Sequence, residues 1–278
     1  MHILVVDDFV LVELALAQVI QDTSHTLTGV RDPRSLPEVL SQGTRFDLAL
    51  VDINFGPGVP TGLTAMRILR AESPETRIVI ESTDEERNRL LFLLASFSFF
   101  EPLALMSKAA PAQAMRALID AVGRGELTGP GFAGPDGAGV RGDTRTAESP
   151  VERLIRNAGV LDELIRNRTD LMLWRALVRF DKRGEVARAA HVDERTVDRF
   201  TSGKSQVIDK IEAEFPEDES VPETPAPGDD DPDDHRRHPN LVRLARFAQT
   251  HSHFFGDEAL EGLFAGRWRS PRPRRSRA

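Results

Sequence analysis

Five side chains among the first 108 residues have the types and spacing for phosphoryl chemistry. Asp7 and Asp8 follow the apolar run His2–Val6 (HILVV), and Asp52 follows Asp47–Val51 (DLALV). Ser82 lies just past Arg77–Ile80 (RIVI), and Lys108 just past Leu103–Met106. Three carboxylates brought to one pole repel each other unless a hard divalent cation sits among them, and Mg²⁺ takes a few carboxylate oxygens together with water and phosphate. A carboxylate held beside such a cation can attack a phosphoryl donor and become an acyl phosphate. A lysine ammonium and a hydroxyl from neighbouring strands then neutralise and hydrogen-bond the new phosphoryl oxygens.

These residues must be positioned by the elements between them. The four runs above and His25–Val30 read as buried strands, and residues 9–21, 33–42, 62–72, 84–98 and 111–123 carry helical apolar spacing. Strands alternating with helices predict an α/β fold: a doubly wound, five-stranded parallel sheet of flavodoxin-like type. In such sheets a ligand site forms beyond the carboxyl ends of the strands, where the five side chains fall. A nucleotide-binding reading lacks its Gly-rich loop after the first strand.

The stretches ILVVDDFVLVELALAQVI, DLALVDIN, RIVIESTDEE and ALMSKAAP, in this order, make residues 1–123 resemble a response-regulator receiver domain. The resemblance implies that Asp52 is the phosphoacceptor and that Asp7, Asp8 and Asp52 form the Mg²⁺ site, with Asn54 offering its backbone carbonyl. It also implies Ser82 as the switch hydroxyl, Lys108 as the phosphate-pairing lysine, and a sensor histidine kinase as phosphodonor. Two departures stand out. The loop after Asp52 (INFGPGVPTGL) sets its Pro and Gly later than usual. The chain has no Tyr, and Leu105 stands where family members often carry an aromatic switch residue. A degenerate receiver, keeping the fold without phosphorylation, is the bland alternative.

Charge and composition divide the rest. The chain of 278 residues carries a net charge of -8, which taken whole argues against binding a polyanion such as DNA. Resolved by segment, residues 1–123 hold 10 basic and 16 acidic side chains, and residues 150–213 hold 13 and 11. Residues 214–234 hold none and 10, and residues 235–278 hold 10 and 3. Residues 124–149 are Gly- and Pro-rich and read as a flexible linker. Residues 216–239 are acidic and Pro-rich and read as a disordered linker. The absence of cysteine excludes a disulfide scaffold and a thiolate metal site. No apolar run is long enough to cross a membrane, and no signal core precedes His2, so a cytoplasmic protein is expected.

Residues 150–215 read as helical throughout. Within them, RGEVARAAHVDERTVDRFTS (183–202) places Val186, Ala187, Ala190, Val192, Val197 and Phe200 at the apolar offsets of two short helices crossing at a fixed angle. Asp193 is placed to cap the second helix. The pattern resembles phage-repressor-type helix-turn-helix domains, and the following Gly203-Lys204-Ser205 is expected to turn into a further helix. Where that turn usually carries Gly, this chain carries His191, which accepts a left-handed backbone at some cost. Arg195, Thr196 and Arg199 are expected to face DNA bases or phosphates, and Lys204 the DNA backbone.

Residues 240–278 read as a short helical segment and a basic tail, ending GRWRSPRPRRSRA. His251 and His253, two apart, do not share a helix face and are not read as a metal site. The apolar stretch Leu90–Phe100 (LLFLLASFSFF) reads as a homodimer face or as a helix covered by the adjoining linker. The expectation is a non-enzymatic regulator, phosphorylated on Asp52 and binding promoter DNA as a dimer. The alternative is a phospho-switch adaptor whose helical domain binds a protein.

Overall fold

Short apolar runs form β1 (His2–Val6), β2 (Thr26–Val30), β3 (Leu48–Asp52), β4 (Arg77–Ser82) and β5 (Ala104–Ser107). They alternate with α1 (Val10–Val19), α2 (Leu36–Ser41), α3 (Gly62–Glu72), α4 (Arg89–Phe99) and α5 (Ala112–Arg124). The computed structural model describes residues 1–56, 58–83, 89–127, 131–134, 149–215 and 239–268. The acidic run at 216–238, most of the 124–149 linker and the arginine-rich end at 269–278 lie outside the described residues.

All strand pairs are parallel, in the order β2-β1-β3-β4-β5, with one addition at the edge. Gly131–Ala133, inside the stretch read as linker, forms a sixth strand, β6, beside β5. Its middle side chain, Phe132, registers with Leu105, and Ala133 is buried, so two apolar residues suffice to extend the sheet. A fully parallel sheet needs cover on both faces, which is why Ile3–Val6 of β1 and Leu48–Val51 of β3 are apolar without interruption and buried. The helix α5 ends at Gly125, whose φ of 67° lets the chain turn where a side chain would strain it.

Residues 150–157 form α6, opened by a capping box in which Ser149 and Glu152 satisfy each other's backbone amides. The chain divides into two units, Met1–Ala158 and Gly159–Ala278, so this helix belongs to the first unit rather than opening the second. It packs on α4, burying Val151 and Leu154. The expected association surface is therefore covered from within: Leu90–Ala95 are 3% exposed or less. The large apolar side chains left exposed in the first unit include Phe9, Leu11 and Leu14, at the start of α1.

The second unit is helical: α7 (Val160–Leu164), α8 (Arg168–Leu177), α9 (Arg183–Ala189), α10 (Glu194–Glu214), α11 (Pro239–Thr250), α12 (Ser252–Gly256) and α13 (Ala259–Trp268). Trp174 on α8 is its centre. The indole stacks on Phe255 at 4.9 Å, meets Phe200 edge-on at 5.1 Å and Phe247 at 5.6 Å, and donates to the Leu164 carbonyl at 2.9 Å. The segment 240–278, read from sequence as a short helical stretch and a basic tail, thus supplies part of this core through α11 and α12. Arg175 fastens them further by donating to the carbonyls of Phe255 and Asp257.

The turn expected at Gly203-Lys204-Ser205 does not form; α10 runs unbroken for 21 residues. Glycine in a helix interior costs about 1 kcal/mol relative to alanine. Here one face of α10 (Val197, Phe200, Thr201, Lys204, Val207, Ile208 and Ile211) is buried, and that packing outweighs the cost.

Candidate phosphoacceptor site and nucleic-acid face

The carboxyl edge of the sheet gathers the predicted acidic residues. One ligand oxygen from each of Asp7, Asp8 and Asp52 lies within 4.8 Å of the others. Asp52 is the last residue of β3 and Asp7 the first after β1, so adjacent strands deliver them side by side. Lys108, the first residue after β5, sets Nζ 2.7 Å from Asp7 Oδ2 and 2.8 Å from Asp52 Oδ2. Its backbone N–H donates to the Ser82 carbonyl at 2.9 Å, tying the lysine to the end of β4.

Backbone amides fix the remaining oxygens. Phe9 N–H donates to Asp7 Oδ1 at 2.7 Å, and Gly56 N–H donates to Asp8 Oδ2 at 2.8 Å. Asn54 N–H reaches Asp52 Oδ1 at 3.4 Å. The Ser82 hydroxyl is buried and donates to the Thr83 carbonyl at 3.2 Å. Leu105 is a buried apolar sheet residue between Ile80 and Phe132.

The electrostatics are unbalanced. Burial pushes the Asp52 carboxyl up to about 7; Lys108 opposes that shift and Asp7 adds to it. On Lys108, burial acts downward, but Asp52 and Asp7 outweigh it and hold the ammonium above its ordinary range. One ammonium faces three carboxylates, and this donor set of hard oxygens fits a divalent cation.

Two residues here escaped the sequence reading. Gly62 opens α3 against the end of β3: a Cβ on it would stand 2.1 Å from the Asp52 carbonyl oxygen. Glu81 is a fourth acidic side chain, 1% exposed, in register with Asp52 on the neighbouring strand. Burial first, then Asp7 and Asp52, push its carboxyl up to about 8, with Lys108 opposing. Its visible signal was a charge directly after the apolar run Ile78–Ile80, still within the strand (RIVIES).

In the second unit, α9 and α10 meet through a turn built on His191. His191 has φ 55°. Its N–H donates to the Arg188 carbonyl and the Val192 N–H to the Ala187 carbonyl, a Schellman closure with histidine in the left-handed position. Asp193 Oδ1 then accepts the Thr196 N–H at 2.6 Å and caps α10. Val186, Ala187, Ala190, Val197 and Phe200 are buried between the helices. Arg195 and Arg199 are exposed on the first turns of α10, and Thr196 is half-buried. Arg183 pairs with Glu194 and, at 3.2 Å, with Asp198, which offsets two of the carboxylates on this face.

Lys204 is not on that face. It is 2% exposed, pairs with Asp170 Oδ2 at 2.6 Å and donates to the Glu163 carbonyl. Three turns into α10 it points inward with Phe200 and Val207, so a contact from it to a nucleic-acid backbone is withdrawn.

No protein-family model matches the chain, and no curated protein matches it. Among solved structures, it is similar to the signal receiver domain of an HD domain-containing protein from Pseudomonas fluorescens, at 18% identity and a TM-score of 0.40, over 45% of this chain and 95% of that one. It is also similar to RcsB from Salmonella enterica serovar Typhimurium bound to a promoter, at 13% identity and a TM-score of 0.49, over 88% and 98% of the two chains. A third is the N-terminal domain of a response regulator/sensory box/GGDEF protein from Carboxydothermus hydrogenoformans, at 20% identity and a TM-score of 0.37, over 45% and 96%.

Proposed function

We propose that the chain is a response regulator: its first unit accepts a phosphoryl group on Asp52, and its second unit binds promoter DNA through α9 and α10. The observation that carries the first half is the Asp7–Asp8–Asp52 cluster with Lys108 bridging two of its members. Asp7, Asp8, Asp52 and the Asn54 carbonyl would hold Mg²⁺. When bound, the cation shields the charge of an incoming phosphoryl group.

A carboxylate oxygen of Asp52 attacks phosphorus, the bond to the donor's nitrogen breaks, and the donor leaves with that electron pair. Lys108, already paired with Asp52, follows the charge onto the phosphoryl oxygens. Ser82 is poised at the end of β4 to turn its hydroxyl from the Thr83 carbonyl to the same oxygens. Phe9, Leu11 and Leu14, exposed beside Asp7 and Asp8, form the apolar landing for the phosphodonor kinase.

On the second unit, Arg195, Thr196 and Arg199 enter the major groove from the amino end of α10. The positive φ at His191 and the cap at Asp193 set the angle at which that end projects. A single module of this size binds weakly, so a homodimer on paired half-sites is the working arrangement; α4 is not its surface.

The test is chemical. A small phosphodonor with Mg²⁺ should label the protein, and Asp52→Asn should leave it unlabelled; label retained in that variant removes the assignment. Binding to genomic fragments across several salt concentrations tests the second half. Arg195→Ala and Arg199→Ala should each lower the salt slope by roughly 1 if they contact phosphate. Absence of DNA binding in both phosphorylation states would make the second unit a protein-binding adaptor.

A further inference from the structure

Glu81 is unused by the scheme above. A buried strand position is ordinarily apolar, and a carboxylate there must find donors or be destabilising. Glu81 on β4 registers with Asp52 on β3 and Met106 on β5. Registered residues of a parallel sheet project to the same face, so its carboxyl shares the side of Asp52. It is 1% exposed, and its Oε2 has no hydrogen-bond partner among the described residues. The side chain is thus sealed from bulk water, beside the acidic cluster, with an acceptor that no group among the described residues serves.

Glu81 also stands outside the set of carboxylates whose oxygens lie within 4.8 Å of one another. That separation excludes it from direct coordination of an ion held by the other three. Mg²⁺ retains several waters when carboxylates bind it, and each such water has hydrogens to donate. We propose that Glu81 is a positioning residue for the divalent cation, its Oε2 accepting a hydrogen bond from a water on the ion held by Asp7, Asp8 and Asp52. The inference rests on the reading of that cluster as a cation site. It gives the buried acceptor a donor and makes β4 report cation occupancy at Ser82, the next residue.

The experiment titrates the full-length chain with Mg²⁺ by calorimetry and with Mn²⁺ by paramagnetic resonance, so no phosphorylation readout is needed. Wild type is compared with Glu81→Gln, which keeps an acceptor without charge, and Glu81→Met, which removes both at similar size. Far-ultraviolet dichroism of the cation-free proteins verifies folding; if the Met variant is unfolded, Glu81→Leu takes its place in the comparison. The affinity should fall in the order wild type, Gln, Met, with the Met variant roughly 10–100-fold weaker, as for other outer residues of metal sites. Variants that bind as tightly as wild type overturn it. An equal loss in Gln and Met also overturns it, since that result needs only the charge. Wild type that binds neither ion removes the reading of the cluster as a cation site, and Glu81's role with it.

Discussion

Replacing Lys204 by Met separates a packing residue from a DNA contact. The ammonium of Lys204 is 2.6 Å from Asp170, whose side chain is 12% exposed, and it also donates to the Glu163 carbonyl at the end of α7. It lies 5.6 Å from the Phe200 ring centroid. Breaking a buried ion pair by removing one partner costs about 3–5 kcal/mol, because the other charge is left uncompensated. Two features place this site at the low end. Asp170 Oδ2 still accepts the Arg166 N–H at 3.0 Å. Methionine also keeps an unbranched apolar stem and a sulfur near Phe200, so little packing is lost. The expected loss is therefore about 3 kcal/mol, a fall in midpoint of roughly 12 °C for a unit the length of Gly159–Ala278.

Both tryptophans of the chain, Trp174 and Trp268, lie in the second unit, so urea or thermal unfolding followed by indole fluorescence reports that unit alone. Adding Asp170→Asn to Lys204→Met should recover much of the loss, since asparagine keeps the acceptor for Arg166 without the unpaired charge. Arg195→Ala and Arg199→Ala, both exposed, should change stability by no more than about 0.5 kcal/mol. A loss below about 1 kcal/mol for Lys204→Met would refute the burial argument. So would a loss of DNA binding with an unchanged midpoint, which is what a surface contact would give.

Gly62→Ala should destabilise the first unit by about 1–3 kcal/mol, as overpacking does, and abolish labelling of Asp52, because the added Cβ drives against the Asp52 carbonyl; dichroism and phosphodonor labelling read the two effects. His191→Gly should hold or raise the stability of the second unit by up to about 1 kcal/mol, while His191→Val lowers it by more, because φ 55° disfavours a β-branched side chain. Ser149→Ala removes the capping box of α6 and should cost about 1 kcal/mol in chemical denaturation of the first unit. Without cations, that unit should lose stability as pH rises. The carboxyls of Asp52 and Glu81 sit at about 7 and about 8, above their values in the unfolded chain, so the folded form binds more protons in this window. The midpoint in chelator should fall from about pH 5 to about pH 8, level off above that, and fall less steeply in Glu81→Gln; a midpoint that rises with pH across this range contradicts the burial of these groups.

Much of the first unit was legible because its signals are local. Apolar runs of four to six residues, each ending in a polar or acidic residue, specify a parallel sheet and place Asp7, Asp52, Ser82 and Lys108 at one edge without reference to anything distant. A three-residue strand was missed there, since Gly131–Ala133 has no period long enough to read, and α6 was read with the helical unit that follows it. The turn at His191 and the cap at Asp193 were also legible, because both are short-range backbone chemistry.

What the sequence determined alone was therefore the order of elements, the pole at which the acidic groups and the lysine meet, and the cap that starts α10. The tertiary structure decided which side of a helix faces inward. Lys204 reads as a surface cation until Asp170 and the Glu163 carbonyl are found opposite it. Gly203 reads as a turn until the buried face of α10 carries the helix through it. The apolar α4 reads equally as an interface or as a covered helix until α6 is found on it, and residues 240–278 read as a short helical segment and a tail until Phe247 and Phe255 close on Trp174. Each of these depends on partners far away in the chain, and desolvation is a property of the assembled surface rather than of any local run of residues.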